Sequence, residues 1–211
     1  MSTVLIVPGR NGSGAAHWQT WLEGRIPGAR RIRGIDWDRP VVHAWAGAIV
    51  HEIDQTPGEV WLVAHSFGCL AALLAGRRRA DRIAGAMLVA PADPEFFSES
   101  GLRDWSGTSA VQEAPVTRLL PHEPLPYPTL LVLSADDPWM RITTGLTWAS
   151  RWDARAVQVG RQGHINEASG HGPWPEGLQI FERFHQVYAE LPIGPLDADP
   201  HASRQTRRAN A

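Results

Sequence analysis

The sequence predicts an α/β protein: a doubly wound, mostly parallel sheet of about six strands in a three-layer αβα sandwich. Six short segments rich in Val, Ile and Leu recur along the chain, and helical patterns separate them, which is typical of βαβ units. Four of these segments are nearly continuous apolar runs, as expected for strands buried on both faces of a parallel sheet. With 211 residues and 43% hydrophobic side chains, the chain is predicted to form one domain over residues 1–192.

The predicted strands are short and spread along the whole domain. They lie at residues 3–7, 30–35, 60–64, 85–90, 129–133 and 155–159, and the second is the weakest because it reads RRIRGI. Numbered along the chain, they are expected to pair in the order 2-1-3-4-5-6 through right-handed crossovers. Their carboxyl ends then meet at one edge of the sheet, where ligands of doubly wound proteins bind.

Three helices and one irregular excursion are predicted between the strands. In 41–54 and 174–191, apolar residues recur at helical spacing and form one stripe. The helix over 68–79 is apolar and ends in three arginines, which a helix C-terminus favours. Residues 91–127 include the prolines Pro115, Pro121, Pro124 and Pro126 and are expected to form a short lid over the site. The segment 195–211 has almost no apolar residues and is predicted to be disordered.

Charge and residue usage exclude several classes of function. The formal net charge of −2 gives no electrostatic reason to expect nucleic acid or an anionic membrane as a partner. The chain has no apolar run of about 18 residues and no signal-peptide pattern. Its single cysteine, Cys69, cannot form an intrachain disulfide, so a cytoplasmic location is expected. All 20 basic residues are arginine, which excludes Schiff-base chemistry on lysine, and the histidines lack the spacing of a metal site.

The third predicted strand runs into AHSFG, residues 64–68, and then into a helix. A serine on a sharp strand-to-helix turn, with small residues two positions before and after it, is typical of a nucleophile elbow. The first of these small residues is usually glycine, and here it is Ala64. The pattern predicts Ser66 as a nucleophile.

An acid and a base follow in the right order. The fifth strand ends in SADDPW and the sixth in GRQGH, so both bring polar side chains to the sheet edge that carries Ser66. Serine, then aspartate, then histidine is the chain order of an α/β-hydrolase triad. Asp137 is favoured over Asp136 because the proline after it fixes a turn that begins there. His164 is favoured as the base over His171, which lies further from the strand.

The glycine-rich loop PGRNGSG after the first strand has two interpretations. In one, Gly9 lets the backbone pass close to the serine, and the N–H of Arg10 or Asn11 joins that of Phe67 as a donor to an oxyanion. In the other, the loop binds the dinucleotide of a nicotinamide-dependent reductase. Its G-x-x-G-x-G spacing is not the dinucleotide pattern, and a Tyr-Lys pair is impossible without lysine. A binding protein on a hydrolase scaffold, with incidental catalysis, is a further alternative.

Over residues 3–190 the chain resembles the small serine hydrolases of the α/β-hydrolase fold that include the retinoblastoma-binding serine hydrolase and bacterial YdeN. The shared motifs are VPG with HW, VAHSFG, LPYP, SADDPW and GHINEASGHGPWPEG. The resemblance implies that Ser66, Asp137 and His164 form the triad, that no cofactor is used, and that carboxylic esters are hydrolysed. One departure is His171, which stands where an apolar or aromatic residue is more usual and leaves the polarity of the pocket open.

The expected partner is a small-molecule ester. The excursion over residues 91–127 is short for a lid, which favours small or flat esters over long lipids. The candidate substrate-binding residues are the aromatic and polar side chains Asn11, Phe96, Trp105, Trp139 and His171. The protein is expected to be a monomer or a small homo-oligomer.

Overall fold

The computed structural model describes residues 3–104 and 113–189, so Trp105 and the tail 195–211 lie outside the described residues. The strands in this part are β1 Thr3–Val7, β2 Arg30–Arg31, β3 Val60–His65, β4 Ile83–Val89, β5 Phe97–Ser98, β6 Gly101–Leu102, β7 Thr129–Leu133 and β8 Arg155–Gln158. The α-helices are α1 Trp18–Glu23, α2 Val42–Gln55, α3 Phe67–Gly76, α4 Ile142–Arg151 and α5 Pro175–Tyr188. Across the described ranges, no helix combines the length and the apolar character needed to cross a membrane.

Six of the strands form one sheet in the order β2-β1-β3-β4-β7-β8, and every neighbouring pair is parallel. Leaving aside the small antiparallel pair β5–β6, this is the predicted order 2-1-3-4-5-6. Because β3 lies inside the sheet, with β1 and β4 on either side, the residue that follows it emerges in the middle of the carboxyl edge. The connections from β3, β7 and β8 all leave the sheet at that edge.

Strand side chains alternate between two cores, one on each face of the sheet. Leu5 and Leu62 face the core that contains residues of α2, α3 and α4. Their neighbours Ile6 and Trp61 face the core built with α1 and α5. This alternation is what a strand period of two residues dictates when both faces are covered. The predicted three-layer sandwich is confirmed.

The second strand and α4 differ from the prediction. The second strand is confined to Arg30–Arg31, because the chain turns away from the sheet at Gly34, whose φ is 72°. The sequence does not predict α4, in which two threonines and a glycine, all weak helix formers, follow the first residue, Ile142. Gly145 serves packing there, since a Cβ on it would lie 2.8 Å from a methyl carbon of Leu133 in β7. The close approach of α4 to the sheet therefore explains glycine at position 145, although glycine has a low helix propensity.

The excursion over 91–127 is irregular in the part that is described. It contains 3₁₀ turns at Pro94–Phe96 and Val116–Arg118 and the two-residue hairpin β5–β6. The N–H of Asp93 donates to the carbonyl of Trp139 at 2.7 Å, which ties the excursion to the turn after β7. The excursion therefore begins beside the carboxyl edge of the sheet.

Candidate active site

The chain turns sharply at Ser66, between β3 and α3. The serine has φ 54° and ψ −128°, a region that costs a non-glycine residue on the order of 1–3 kcal/mol. Two glycines make room for the turn: a Cβ on Gly9 would lie 2.7 Å from the Cβ of Ser66, and one on Gly68 would collide with the carbonyl of Pro8. Ala64 is fully buried, and its methyl group fits where glycine is usual. This is the geometry of a nucleophile elbow.

Ser66, His164 and Asp137 form a continuous chain of hydrogen bonds. Nε2 of His164 lies 2.8 Å from Oγ of Ser66. Nδ1 of the same ring lies 2.8 and 3.0 Å from the two carboxylate oxygens of Asp137. A carboxylate only accepts hydrogen bonds, so the imidazole proton is on Nδ1. Nε2 is then free to accept the hydroxyl proton of the serine.

The two adjacent aspartates have different partners. Asp137, with only 2% of its side chain exposed, faces the imidazole and also accepts the N–H of Trp139 at 2.8 Å. Asp136 accepts the N–H of Gly163 at 2.8 Å and the hydroxyl of Ser134 at 2.9 Å, and both bonds hold the pKa of its carboxyl below the usual value. Asp136 therefore fastens the loop that carries the histidine, while its neighbour contacts the ring.

The loop after β1 passes directly over the serine. The N–H of Gly12 closes a turn onto the carbonyl of Gly9 at 3.0 Å, and the N–H of Asn11 donates to the carbonyl of Trp37 at 2.8 Å. The N–H groups of Arg10 and Phe67 make no backbone hydrogen bond to another described residue. Of the two candidates in this loop, only Arg10 therefore has an N–H available to a ligand.

A cavity of about 400 Å³ opens beside Ser66. Phe97 and Trp139 form its aromatic wall, with ring centroids 6.4 Å apart, and the ring of Phe67 packs behind Phe97 at 4.6 Å. The other residues that line the cavity are mainly polar and include Arg10, Asn11, His17, Asn166 and Glu167. The site thus combines one aromatic surface with several hydrogen-bonding groups.

Residues 4–183 match the model of a protein family described as serine hydrolase. The chain belongs to this serine hydrolase family. The matched range contains the elbow at Ser66 and the loops of Asp137 and His164. No curated protein matches this serine hydrolase by sequence.

Solved structures place the serine hydrolase among the α/β hydrolases. A protein described as a YdeN-like hydrolase from Pectobacterium atrosepticum is 36% identical, with 89% of this chain and 92% of that chain covered and a TM-score of 0.78. The ydeN gene product of B. subtilis is 19% identical, with 88% and 100% covered and a TM-score of 0.66. Est1E from Butyrivibrio proteoclasticus, with ferulic acid bound, is 12% identical, with 90% and 89% covered and a TM-score of 0.60. The predicted resemblance to YdeN and the α/β-hydrolase fold is confirmed, and the protein is a hydrolase.

Some predicted pocket residues of the serine hydrolase lie elsewhere. Asn11 and Trp139 line the cavity, but Phe96 and His171 do not. Phe96 packs on Trp139 with the ring centroids 6.0 Å apart, and its neighbour Phe97 takes the place on the cavity wall. His171 packs edge-on against Trp174 at 5.8 Å. Trp105, the remaining candidate, lies outside the described residues.

Two further histidines, His65 and His17, lie near His164, and their place in the sequence predicts no role for either. The ring of His65 is 4.9 Å from that of His164, and the ring of His17 is 5.0 Å from that of His65. Nε2 of His65 donates to the carbonyl of His164 at 2.9 Å, and this bond holds the loop that carries His164. Among the described residues, no group of three or more His, Cys, Asp or Glu side chains is arranged to hold a metal ion.

The buried histidines make the stability of the serine hydrolase dependent on pH. Burial, then the charges of Arg31 and His164, lowers the pKa of His17 from 6.5 to about 4. Burial likewise holds the pKa of His65 well below its usual value. The unfolded chain therefore binds more protons, and the free energy of unfolding is expected to fall as the pH drops from about 6.5 toward 4.

Urea unfolding at pH 7, 6 and 5 measures this dependence. A His17→Asn variant, which removes one of the titrating groups, is expected to lose less stability over the same interval. Equal stability of the wild-type protein at pH 7 and pH 5 would contradict the assignment of neutral, buried imidazoles.

Proposed function

We propose that this serine hydrolase cleaves a small carboxylic ester, or a related acyl bond, through an acyl-enzyme formed on Ser66. The observation that carries the proposal is the unbroken chain of hydrogen bonds from the Ser66 hydroxyl through His164 to Asp137, with contacts of 2.8 Å at both nitrogens. Such an arrangement activates a hydroxyl that is otherwise a weak nucleophile at neutral pH.

In the acylation step, Oγ of Ser66 attacks the carbonyl carbon of the ester while Nε2 of His164 takes the hydroxyl proton. Asp137 keeps the other ring proton on Nδ1 and stabilises the imidazolium that forms. When the tetrahedral intermediate collapses, the bond to the alcohol oxygen breaks and the imidazolium gives that oxygen its proton. A water molecule then repeats the sequence on the acyl-enzyme and releases the acid.

The negative oxygen of the tetrahedral intermediate needs donors that are already in place. The N–H of Phe67 lies at the first residue of α3, where the helix dipole is positive. The N–H of Arg10 is the second donor in this proposal, because that of Asn11 is engaged by the carbonyl of Trp37. Gly9 brings this loop against the serine, which favours the oxyanion interpretation of PGRNGSG over the dinucleotide one.

The surroundings of the serine support a small substrate. The cavity is about 400 Å³, and part of its wall is Phe97 from the excursion after β4, which acts as a short lid in this proposal. A volume of this size suits a small or flat acyl group better than a long lipid chain.

A fluorophosphonate probe tests the proposal directly. The probe is expected to label the folded wild-type protein at Ser66, and peptide mass spectrometry locates the adduct. The Ser66→Ala variant is expected to remain unlabelled while it unfolds at an unchanged temperature. Hydrolysis of p-nitrophenyl esters of increasing acyl length then shows which chain length the cavity accepts.

The alternative of a binding protein with incidental catalysis makes a different prediction. If folded wild-type protein is not labelled and hydrolyses none of the esters, the hydrogen-bonded chain at Ser66 has no catalytic role and the proposed function is wrong. Labelling at another serine would contradict the choice of nucleophile alone.

A further inference from the structure

His17 is held in one orientation at the start of α1. Its Nδ1 accepts the backbone N–H of Gln19 at 3.1 Å, so the ring is the N-cap of the helix. A nitrogen that accepts a hydrogen bond carries no proton. In the neutral ring the proton is therefore on Nε2, which is then a donor.

The charge state of this ring does not change near neutral pH. Burial and the nearby Arg31 guanidinium lower the pKa of His17 to about 4. The ring thus presents an uncharged N–H donor at any pH at which a hydrolase with a histidine base works.

The donor on Nε2 belongs to a residue that lines the cavity. The bond from Gln19 is the one hydrogen bond that the His17 side chain makes with the described residues. Among the described residues, the fully buried side-chain polar atom that lacks a partner is Nε1 of Trp61. Nε2 of His17 also lacks a partner but is not such an atom, so it is not fully buried. His17 lines the cavity beside Ser66, so its free N–H is satisfied by whatever fills that space.

We infer that His17 is a substrate-binding residue whose Nε2–H donates to an acceptor oxygen that the substrate carries in addition to its scissile ester group. This inference rests on the proposed function. The donor is uncharged, and the charged residues that line the same cavity, Arg10 and Glu167, are of opposite sign, so a neutral ether, hydroxyl or keto oxygen is the matching acceptor. The aromatic pair Phe97 and Trp139 accommodates the apolar part of the molecule. The substrate class is thus an oxygenated small ester.

Two variants separate the donor from the helix cap. Asparagine is a good N-cap but is too short to replace Nε2, so His17→Asn keeps the cap and removes the donor. Glutamine is a poor N-cap, but its amide reaches the position of Nε2, so His17→Gln keeps a donor and removes the cap. Melting temperatures report the cap, and substrate preference reports the donor.

Matched esters locate the acceptor oxygen. On the acyl side, p-nitrophenyl methoxyacetate is compared with p-nitrophenyl butyrate, which has a CH2 in place of the ether oxygen. On the alcohol side, 2-methoxyethyl acetate is compared with butyl acetate. For each substrate, kcat/KM of the wild type is divided by that of the variant, which cancels the intrinsic reactivity of the ester.

In one of the two pairs, His17→Asn is expected to lower kcat/KM for the oxygenated ester about five- to tenfold more than for its alkyl partner. His17→Gln is expected to retain most of that preference while it melts at a lower temperature. If His17→Asn lowers both members of both pairs by the same factor while Ser66 is still labelled by fluorophosphonate, His17 only packs and caps, and the inference is wrong. If Ser66 is not labelled in the wild type, the proposed function fails and takes the inference with it.

Discussion

Replacing Asp137 with asparagine is expected to lower kcat for a short p-nitrophenyl ester about 10⁴-fold. An amide carries no negative charge to stabilise the imidazolium, and its NH2 group would favour the ring tautomer with the proton on Nε2. Nε2 could then no longer take the proton of the Ser66 hydroxyl, which lies 2.8 Å away. The release of p-nitrophenolate at saturating ester measures the effect.

The adjacent Asp136→Asn variant is the matched control. Its side-chain oxygen can still accept the N–H of Gly163 and the hydroxyl of Ser134, so the loop of His164 keeps its two fastenings. Turnover is therefore expected to change little. A large loss in Asp136→Asn with a small one in Asp137→Asn would show that the acid was wrongly assigned, whatever the distances to the imidazole.

The Gly9→Ala variant is expected to lower kcat/KM for the same ester about 10²–10³-fold, the effect of losing one oxyanion donor. The added methyl group would lie 2.7 Å from Cβ of Ser66 and 3.2 Å from the carbonyl oxygen of His65. Neither neighbour is the end of a flexible side chain, so the loop itself must move. That movement carries the N–H of Arg10 away from the oxyanion.

Gly47→Ala provides the control for glycine replacement as such. Gly47 lies within α2, and a Cβ on it would meet nothing within 4 Å. Alanine there is expected to raise the free energy of unfolding by about 0.5–1 kcal/mol and to leave hydrolysis unchanged. Melting curves show whether Gly9→Ala is folded. A folded Gly9→Ala protein with wild-type kcat/KM would mean that this loop supplies no oxyanion donor.

The architecture was predictable because its strongest signals are local. The continuous apolar runs in β3, β4 and β7 mark buried strands, and the parallel order follows once helices separate them. The same reasoning predicts which strand ends share an edge, and hence that Ser66, Asp137 and His164 lie near one another. The sequence does not predict α4, because a packing contact with the sheet outweighs the propensities of its residues there.

The interior of the site was less predictable, because it depends on contacts between distant parts of the chain. His65 supports His164 across 99 positions of sequence, and nothing in the residues around either one indicates that contact. The exchange of Phe96 for Phe97 on the cavity wall has a similar cause. Phe96 ends a 3₁₀ turn and Phe97 begins β5, and the hairpin β5–β6 is too short to show an alternating pattern in the sequence.

The proposed reacting groups follow strands that lie at different places in the sheet. Ser66 follows β3, in the interior of the sheet, whereas His164 follows β8, an edge strand whose side chains are mostly exposed. Edge elements fray before the centre of a domain does, so the imidazole could leave the hydroxyl while the hydrophobic cores stay intact. The anchors that oppose such fraying include the carboxylate of Asp136, the ring of His65 and the indole N–H of Trp18, which donates to the carbonyl of Ile165. We therefore expect hydrolytic activity to be lost under milder denaturing conditions than those that unfold the domain.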